Sequence, residues 1–248
     1  MDIQIRKISW GVPESIHAFH TTRIGGFSKG PYKSSNLSYD VGDNPKNVKK
    51  NREILQKQLN LVHQPIFMKQ IHSPTIRKIT KPLDTVVCDS CYTDIPGLPL
   101  AVLSADCLPI LVSNKNGTKV GVIHAGWRGL NDGIIEKFIK RFTKNPSELI
   151  VWIGPSINPD NYIVREDVFN KLSKISTKFF SKTDDLGSWY LDLKLVAKII
   201  LKGFGIKKIF LDSICTHENS NLYYSYRRQN QTGRIASLIW INQNDSEN

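Results

Sequence analysis

The chain runs as short apolar stretches separated by polar breaks at glycine, proline, asparagine and serine. Alternating or continuous apolar positions predict strands over 3–8, 16–22, 65–69, 75–79, 99–104, 108–113, 119–124, 149–153, 207–212 and 234–241. Asn44-Pro45 reads as a helix start, with asparagine as the cap and proline in the first turn, and Val48, Leu55 and Leu59 follow at roughly helical spacing. Ile134, Ile135, Phe138, Ile139 and Phe142 share one broad face, which predicts a helix over 130–142. Two further helices fit 165–175 and 192–203. Strands and helices mix without strict alternation, so the expected fold is α/β, a single-domain mixed sheet flanked by helices. With no internal repeat and no break in composition, one domain is expected over 1–241, and 242–248 reads as a disordered tail.

Composition narrows the class. A hydrophobic fraction of 40% and a charged fraction of 23% are ordinary for a soluble protein of 248 residues and suffice for a full core. No apolar run approaches the roughly 18 residues of a membrane span. The opening MDIQIRKISW has no apolar region of the kind a signal peptide carries. Four cysteines without such a signal point to a reducing, cytoplasmic setting. The net charge of +12 raises the question of nucleic acid, but the lysines are scattered (Lys49, Lys57, Lys140, Lys171, Lys182, Lys202) and not interleaved with aromatics. A solvated lysine-rich surface is the expectation and a general attraction for anionic substrates the alternative, without nucleic acid or membrane partners. Nothing in the pattern indicates an oligomeric state.

Reactive residues gather where strands are expected to end. His72 follows Met68-Lys69-Gln70-Ile71, Cys107 sits in Ser104-Ala105-Asp106-Cys107-Leu108-Pro109, and His124 opens His124-Ala125-Gly126-Trp127-Arg128-Gly129. Two imidazoles and a thiolate make a soft donor set suited to zinc or copper, and three protein ligands leave one position for water or substrate. The rival chemistry is a Cys107–His124 nucleophile and base. The plainer alternative is ordinary packing, because residues this far apart in sequence carry no spacing signature. Cys88-Asp89-Ser90-Cys91 is a CxxC without a second CxxC or a thioredoxin-like pattern, so coincidence is the better account. Cys215 and His217, at i,i+2 on an expected strand, read as structural. Arg52 and Arg227-Arg228 offer paired donors for phosphate or carboxylate, or else surface ion pairs of little value.

The blocks Thr21-Thr22-Arg23-Ile24-Gly25-Gly26-Phe27-Ser28-Lys29-Gly30-Pro31-Tyr32, Val41-Gly42-Asp43-Asn44-Pro45 with Asn51-Arg52, Gln70-Ile71-His72, Ala105-Asp106-Cys107-Leu108-Pro109, His124 to Leu130, Ile153-Gly154-Pro155, Ser225-Tyr226-Arg227-Arg228 and Thr232-Gly233-Arg234 follow one another in a specific order. Together they resemble the YfiH/YlmD family, also called laccase-domain or polyphenol-oxidoreductase-like proteins and peptidoglycan editing factors. The resemblance spans roughly residues 15 to 240. It implies a fold related to the cytotoxic necrotizing factor catalytic domain and a metal site, usually zinc with copper as the alternative, on His72, Cys107 and His124.

The same resemblance implies a purine nucleoside phosphorylase acting on adenosine, inosine and methylthioadenosine, with adenosine deaminase activity. Its partners would be a purine nucleoside and phosphate. Arg52 matches an arginine associated with the active site, which makes phosphate its expected partner; Gly26, Arg128 and Arg227 lie in the same blocks as expected substrate contacts. Asp106, beside Cys107, is the expected proton-transfer group or support for the metal ligands. Asp89 matches a family aspartate between the two CxxC cysteines. Three rival functions follow: an amidase editing a peptidoglycan precursor through Cys107 and His124, a copper polyphenol oxidoreductase, and a non-catalytic metal- or nucleotide-binding module. The oxidoreductase is disfavoured, because the chain has six histidines and no His-x-His pair to hold a trinuclear copper cluster.

Overall fold

The computed structural model describes residues 1–243. In chain order it comprises β1 (Ile5–Lys7), β2 (Ile16–Thr21), α1 (Pro45–Gln58), β3 (Ile66–Lys69), β4 (Ile76–Lys78), β5 (Thr85–Val87), β6 (Ser90–Thr93), β7 (Leu100–Ser104), β8 (Leu108–Asn114), β9 (Val120–Ala125), α2 (Trp127–Asn131), α3 (Ile134–Phe142), β10 (Leu149–Ile153), β11 (Ile163–Arg165), α4 (Glu166–Leu172), β12 (Phe180–Lys182), β13 (Ser188–Leu191), α5 (Leu193–Gly203), β14 (Lys208–Leu211) and β15 (Ile235–Ile241).

The α/β class holds, with the sheet divided in two. One six-stranded sheet has the order β1-β2-β15-β7-β3-β5 and the other β14-β10-β8-β9-β6-β4, each mixing parallel and antiparallel pairs. Apolar side chains alternate to opposite sides of each strand, so each sheet has two faces to bury. Ala18, Val102 and Ile239 of the first sheet meet Leu111, Val122 and Ile150 of the second in a core between them. On the outer face of the first sheet, Phe67, Leu238 and Trp240 pack under Leu55 of α1. On the outer face of the second, Ile110, Ile123 and Val151 pack under Phe138 and Phe142 of α3 and Val196 and Ile200 of α5. The layers are therefore helix, sheet, sheet, helices.

Local signals account for several element ends. The Asn44 side chain accepts from Lys46 N at 2.9 Å and Pro45 opens α1, as the sequence predicts. The helix expected over 130–142 is instead two helices, because Gly133 at φ 75° breaks the run between α2 and α3. A small third sheet, β11-β13-β12, has no counterpart among the predicted elements. Residues 212–219 form a loop rather than a strand, so Cys215 and His217 do not share a strand face as expected. Cys215 Sγ instead accepts from Asn158 N at 3.4 Å, the structural role the sequence favours. Among the described residues no helix is long and apolar enough to cross a membrane. The expected tail lies largely outside the described residues, from 244 to 248.

Candidate active site

The ends of β3, β7, β8 and β9 lie close together, and the residues just beyond them build the site. β8 and β9 pair antiparallel with Leu108 opposite Ala125, which brings Cys107 to the end of the ladder beside His124. β3 runs parallel to β7, and Gln70 clamps their ends by donating to Leu103 O and accepting from Leu103 N, both at 2.8 Å. His72 follows two residues later. His72, Cys107 and His124 each present a ligand atom, and these atoms all lie within 4.8 Å of one another. The two imidazoles meet edge to face with centroids 4.9 Å apart.

Asp89 holds both histidines. Its wholly buried carboxylate accepts from the backbone N–H of Ile71, His72 and Ser73 at 3.1, 2.9 and 2.8 Å, and its Oδ1 lies 2.9 Å from His124 Nδ1. Those bonds keep His72 at φ 58°, a left-handed conformation that a non-glycine residue adopts only when its surroundings enforce it. They also occupy His124 Nδ1, which leaves Nε2 as the free ring nitrogen. Burial pushes the Asp89 pKa up, but the His124 imidazole and the backbone N–H groups outweigh it and hold the carboxyl below its usual value. Burial likewise raises the Cys107 thiol, and the two imidazoles overcome this to bring it down to about 6. For His124, burial acts downward while Cys107 and Asp89 pull upward, with a net rise to about 9.

The donor chemistry fits a metal ion. The set is soft, His124 is oriented by a carboxylate in the manner usual for metal-binding histidines, and Gly126 supplies room. A Cβ on Gly126 would stand 2.9 Å from Cys107 Sγ and 3.4 Å from His72 Cδ2. Among the described residues this is the cluster of histidine, cysteine and acidic side chains that could hold an ion.

A cavity of about 520 Å³ opens over the cluster, lined on its sides by Met68, Gln70, Trp127, Tyr162 and Tyr226. Arg128, Arg227 and Arg234 reach its walls, with Arg227 over the Tyr162 ring at 4.8 Å and Arg128 over Trp127 at 4.5 Å. Arg227 Nη1 donates to Ile163 O at 2.8 Å, and Arg234 Nη1 to Thr232 O and Gly233 O at 2.9 and 3.0 Å. The loop bearing Arg227 is fastened by Asp106. Thr216 Oγ1 donates to Asp106 Oδ1 at 2.7 Å, while Ser225 Oγ and Arg227 N donate to Oδ2 at 2.9 and 2.7 Å.

These placements redistribute the expected roles. Asp106 lines the cavity, but its carboxylate is committed to anchoring the loop rather than free for proton transfer. Arg52, expected at the phosphate, stands behind the cavity wall. Its guanidinium lies between the rings of Phe67 at 3.8 Å and Tyr39 at 4.4 Å, and Nε donates to Leu37 O at 2.8 Å. Burial lowers its pKa to about 10, so it stays charged at neutral pH. Gly26 is also outside the lining. Its φ is 78°, and a Cβ there would stand 2.6 Å from Asn51 Oδ1, so its role is in packing. Arg228 spends its guanidinium on the carbonyls of Thr216, His217 and Tyr223. Asp89 and Arg234 are the contributors to which the sequence assigns no site role, although Arg234 closes the Thr232-Gly233-Arg234 block and Asp89 matches a family aspartate.

Comparison with known proteins agrees with this architecture. The chain is 40% identical over 237 residues to a purine nucleoside phosphorylase of Haemophilus influenzae, covering 94% of this chain and 97% of the relative. It is 38% identical over 234 residues to the purine nucleoside phosphorylase YfiH of Escherichia coli, covering 94% and 96%. A crystal structure of YlmD from Geobacillus stearothermophilus superposes with a TM-score of 0.88 at 30% identity, covering 98% of this chain and 100% of that one. The family described as multi-copper polyphenol oxidoreductase laccase matches residues 17–242, and the chain belongs to that family, whose members include YfiH and YlmD.

Proposed function

We propose that the protein is a zinc-dependent purine nucleoside phosphorylase acting on adenosine, inosine and methylthioadenosine, with adenosine deamination as a second activity of the same cavity. The observation that carries this reading is one cavity joining the His72–Cys107–His124 donors to aromatic walls and to Arg128, Arg227 and Arg234. Phosphorolysis needs a phosphate held against the ribose anomeric carbon while the purine departs, so positioning and charge do most of the work. Arg227 and Arg234 carry paired donors suited to phosphate oxygens. Trp127, Tyr162 and Tyr226 offer ring faces for the purine. A zinc ion on the three donors would supply Lewis acidity at the floor of the cavity. Zinc is favoured over copper because the proposed reactions transfer no electrons. Oxygen reduction by a laccase requires further coppers, and the described residues offer one cluster.

The depressed Cys107 thiol beside His124 favours a second reading, an amidase with Cys107 as nucleophile. A metal on Cys107 would withhold that thiolate. The deciding experiment assays metal-replete and metal-stripped protein on adenosine, with and without inorganic phosphate, and on a muramyl-peptide precursor, with products identified by chromatography. A phosphorylase releases adenine and ribose 1-phosphate only with phosphate. Equal adenine release without phosphate means a hydrolase. No nucleoside turnover together with cleavage of the precursor hands the site to the amidase.

A further inference from the structure

The end of the inter-sheet core nearest the active site is polar. On β2, β7 and β15 the positions facing the second sheet are apolar for most of their length, as Ala18, Val102 and Ile239 are. At the end toward the cavity they become His20, Ser104 and Ser237. The register sets His20 directly opposite Ser237, and on the next strand Ser104 opposite Ile235, two residues along β15 from Ser237. Tyr223, from the loop that Asp106 fastens, stacks on His20 with centroids 6.1 Å apart, and Trp152 closes the other side at 5.9 Å.

All four polar side chains are buried, His20 at 4% exposure, Ser104 at 1%, and Tyr223 and Ser237 at 0%. Among the described residues, His20 Nδ1, Tyr223 Oη, Ser104 Oγ and Ser237 Oγ have no hydrogen-bond partner in the protein. Leaving a buried polar group without a partner is costly, and four such groups drawn from separate elements are hard to explain as packing. Buried polar groups that converge in this way hold ordered water, each water taking about three partners.

We propose that His20, Ser104, Tyr223 and Ser237 form an internal hydration site between the sheets that joins the catalytic cavity at Ser104 and conducts protons to and from it. Ser104 stands at the boundary of the two spaces, since the residue is part of the cavity lining while its Oγ is buried. His20 is the inner relay. Burial, against a smaller opposing pull from Asp212, lowers its pKa, so it stays neutral and can both accept and donate. Arg6, paired opposite His20 on β1, adds to the lowering. Each member takes one proton from one neighbour and gives one to the next, between Ser104 at the cavity and Asp212, a half-buried carboxylate whose charge reaches both His20 and Tyr223, so none changes its protonation state over a turnover. Any reaction in the cavity that moves a proton, phosphorolysis included, would draw on this path.

Two measurements test the proposal, and the first is independent of the reaction catalysed. A high-resolution crystal structure should contain ordered waters within hydrogen-bond distance of His20 Nδ1, Tyr223 Oη, Ser104 Oγ and Ser237 Oγ. A dry interior, or these atoms bonded to one another, overturns it. Second, His20→Phe and the milder Ser237→Ala, in metal-loaded protein, should lower kcat several-fold on whichever substrate is turned over. The solvent deuterium isotope effect should grow, while KM and metal content hold. An unchanged isotope effect in a folded, metal-replete Ser237→Ala variant, or a loss expressed only in KM, overturns the proton path.

Discussion

Asp89 Oδ1 stands 2.9 Å from His124 Nδ1 and 2.9 Å from the backbone nitrogen of His72, so one buried carboxylate sets the positions of both histidines. It fixes the ring of one and the backbone of the other, on segments that share no strand. The donor cluster is thus assembled through a residue that is not itself a donor.

Asp89→Asn keeps the shape but removes the charge that favours the metal-binding tautomer of His124. Metal affinity should fall by roughly 10–100-fold, the usual loss when such an orienting partner is altered. Competition with a chromogenic chelator measures this. Because the folded-state pKa of Asp89 is depressed, its contribution to stability is present above the unfolded carboxylate pKa and is lost as pH falls through the folded value. The wild-type stability advantage over Asp89→Asn should therefore shrink on acidification. Unchanged metal affinity in the variant would remove Asp89 from the site.

In metal-stripped protein the Cys107 thiol should titrate near pH 6, because the two imidazoles outweigh the opposing effect of burial and bring its pKa down to about 6. An acid with a lowered pKa is deprotonated above that value, and the thiolate is the nucleophile. Alkylation by iodoacetamide should reach half its plateau rate near pH 6, well below the roughly 8.5 of a free cysteine. Asp89→Asn should shift the midpoint upward by weakening the His124 imidazolium, and zinc should suppress the reaction at every pH. A midpoint near that of a free thiol in the stripped wild type would contradict the pairing.

Gly126→Ala isolates the space around the donors. Its φ of −78° is open to alanine, so no backbone strain enters. The new Cβ would crowd Cys107 Sγ at 2.9 Å and His72 Cδ2 at 3.4 Å. Metal affinity should drop about tenfold or more with a near wild-type thermal transition, as followed by calorimetry and elemental analysis. A variant that binds metal normally would mean that the cluster has slack this geometry lacks.

Much of the framework is legible in the sequence because its signals are local. The apolar run Leu149–Ile153 and the largely apolar Ile235–Ile241, interrupted by Ser237, are buried at every position, and the apolar face of α3 enters the core under the second sheet as its spacing predicts. Ser-Cys-Tyr-Thr of β6 carries no such signal. It becomes a strand through β4 and β9, which pair with it on both sides. His72, Cys107 and His124 stand together as the motifs imply, whereas the importance of Asp89 depends on His72 turning left-handed seventeen residues away. In Cys88-Asp89-Ser90-Cys91 the thiols draw the eye, yet both are wholly buried in the inter-sheet core. Arg52 is ambiguous for a related reason: a guanidinium is equally at home on phosphate or between two aromatic rings, and only the packing of Phe67 and Tyr39 distinguishes them.

That distinction gives a paired test. Arg52→Ala removes a cation held between two rings and a hydrogen bond to Leu37 O, and leaves Tyr39 unsupported on the segment that carries Asp40 and Val41 into the cavity wall. The variant should lose roughly 1–3 kcal/mol of stability in urea unfolding, with KM for phosphate changed by only about twofold. Arg227→Ala should behave in the opposite way. Its side chain is exposed at the cavity, so unfolding should shift little, while KM for phosphate rises about tenfold or more, as expected for a charge-assisted bond worth roughly 1.5–3 kcal/mol. Neither residue is a metal donor, so zinc content should be unchanged in both. A large rise in phosphate KM confined to Arg52→Ala would return the phosphate to Arg52 and require the Tyr39 wall to open during turnover.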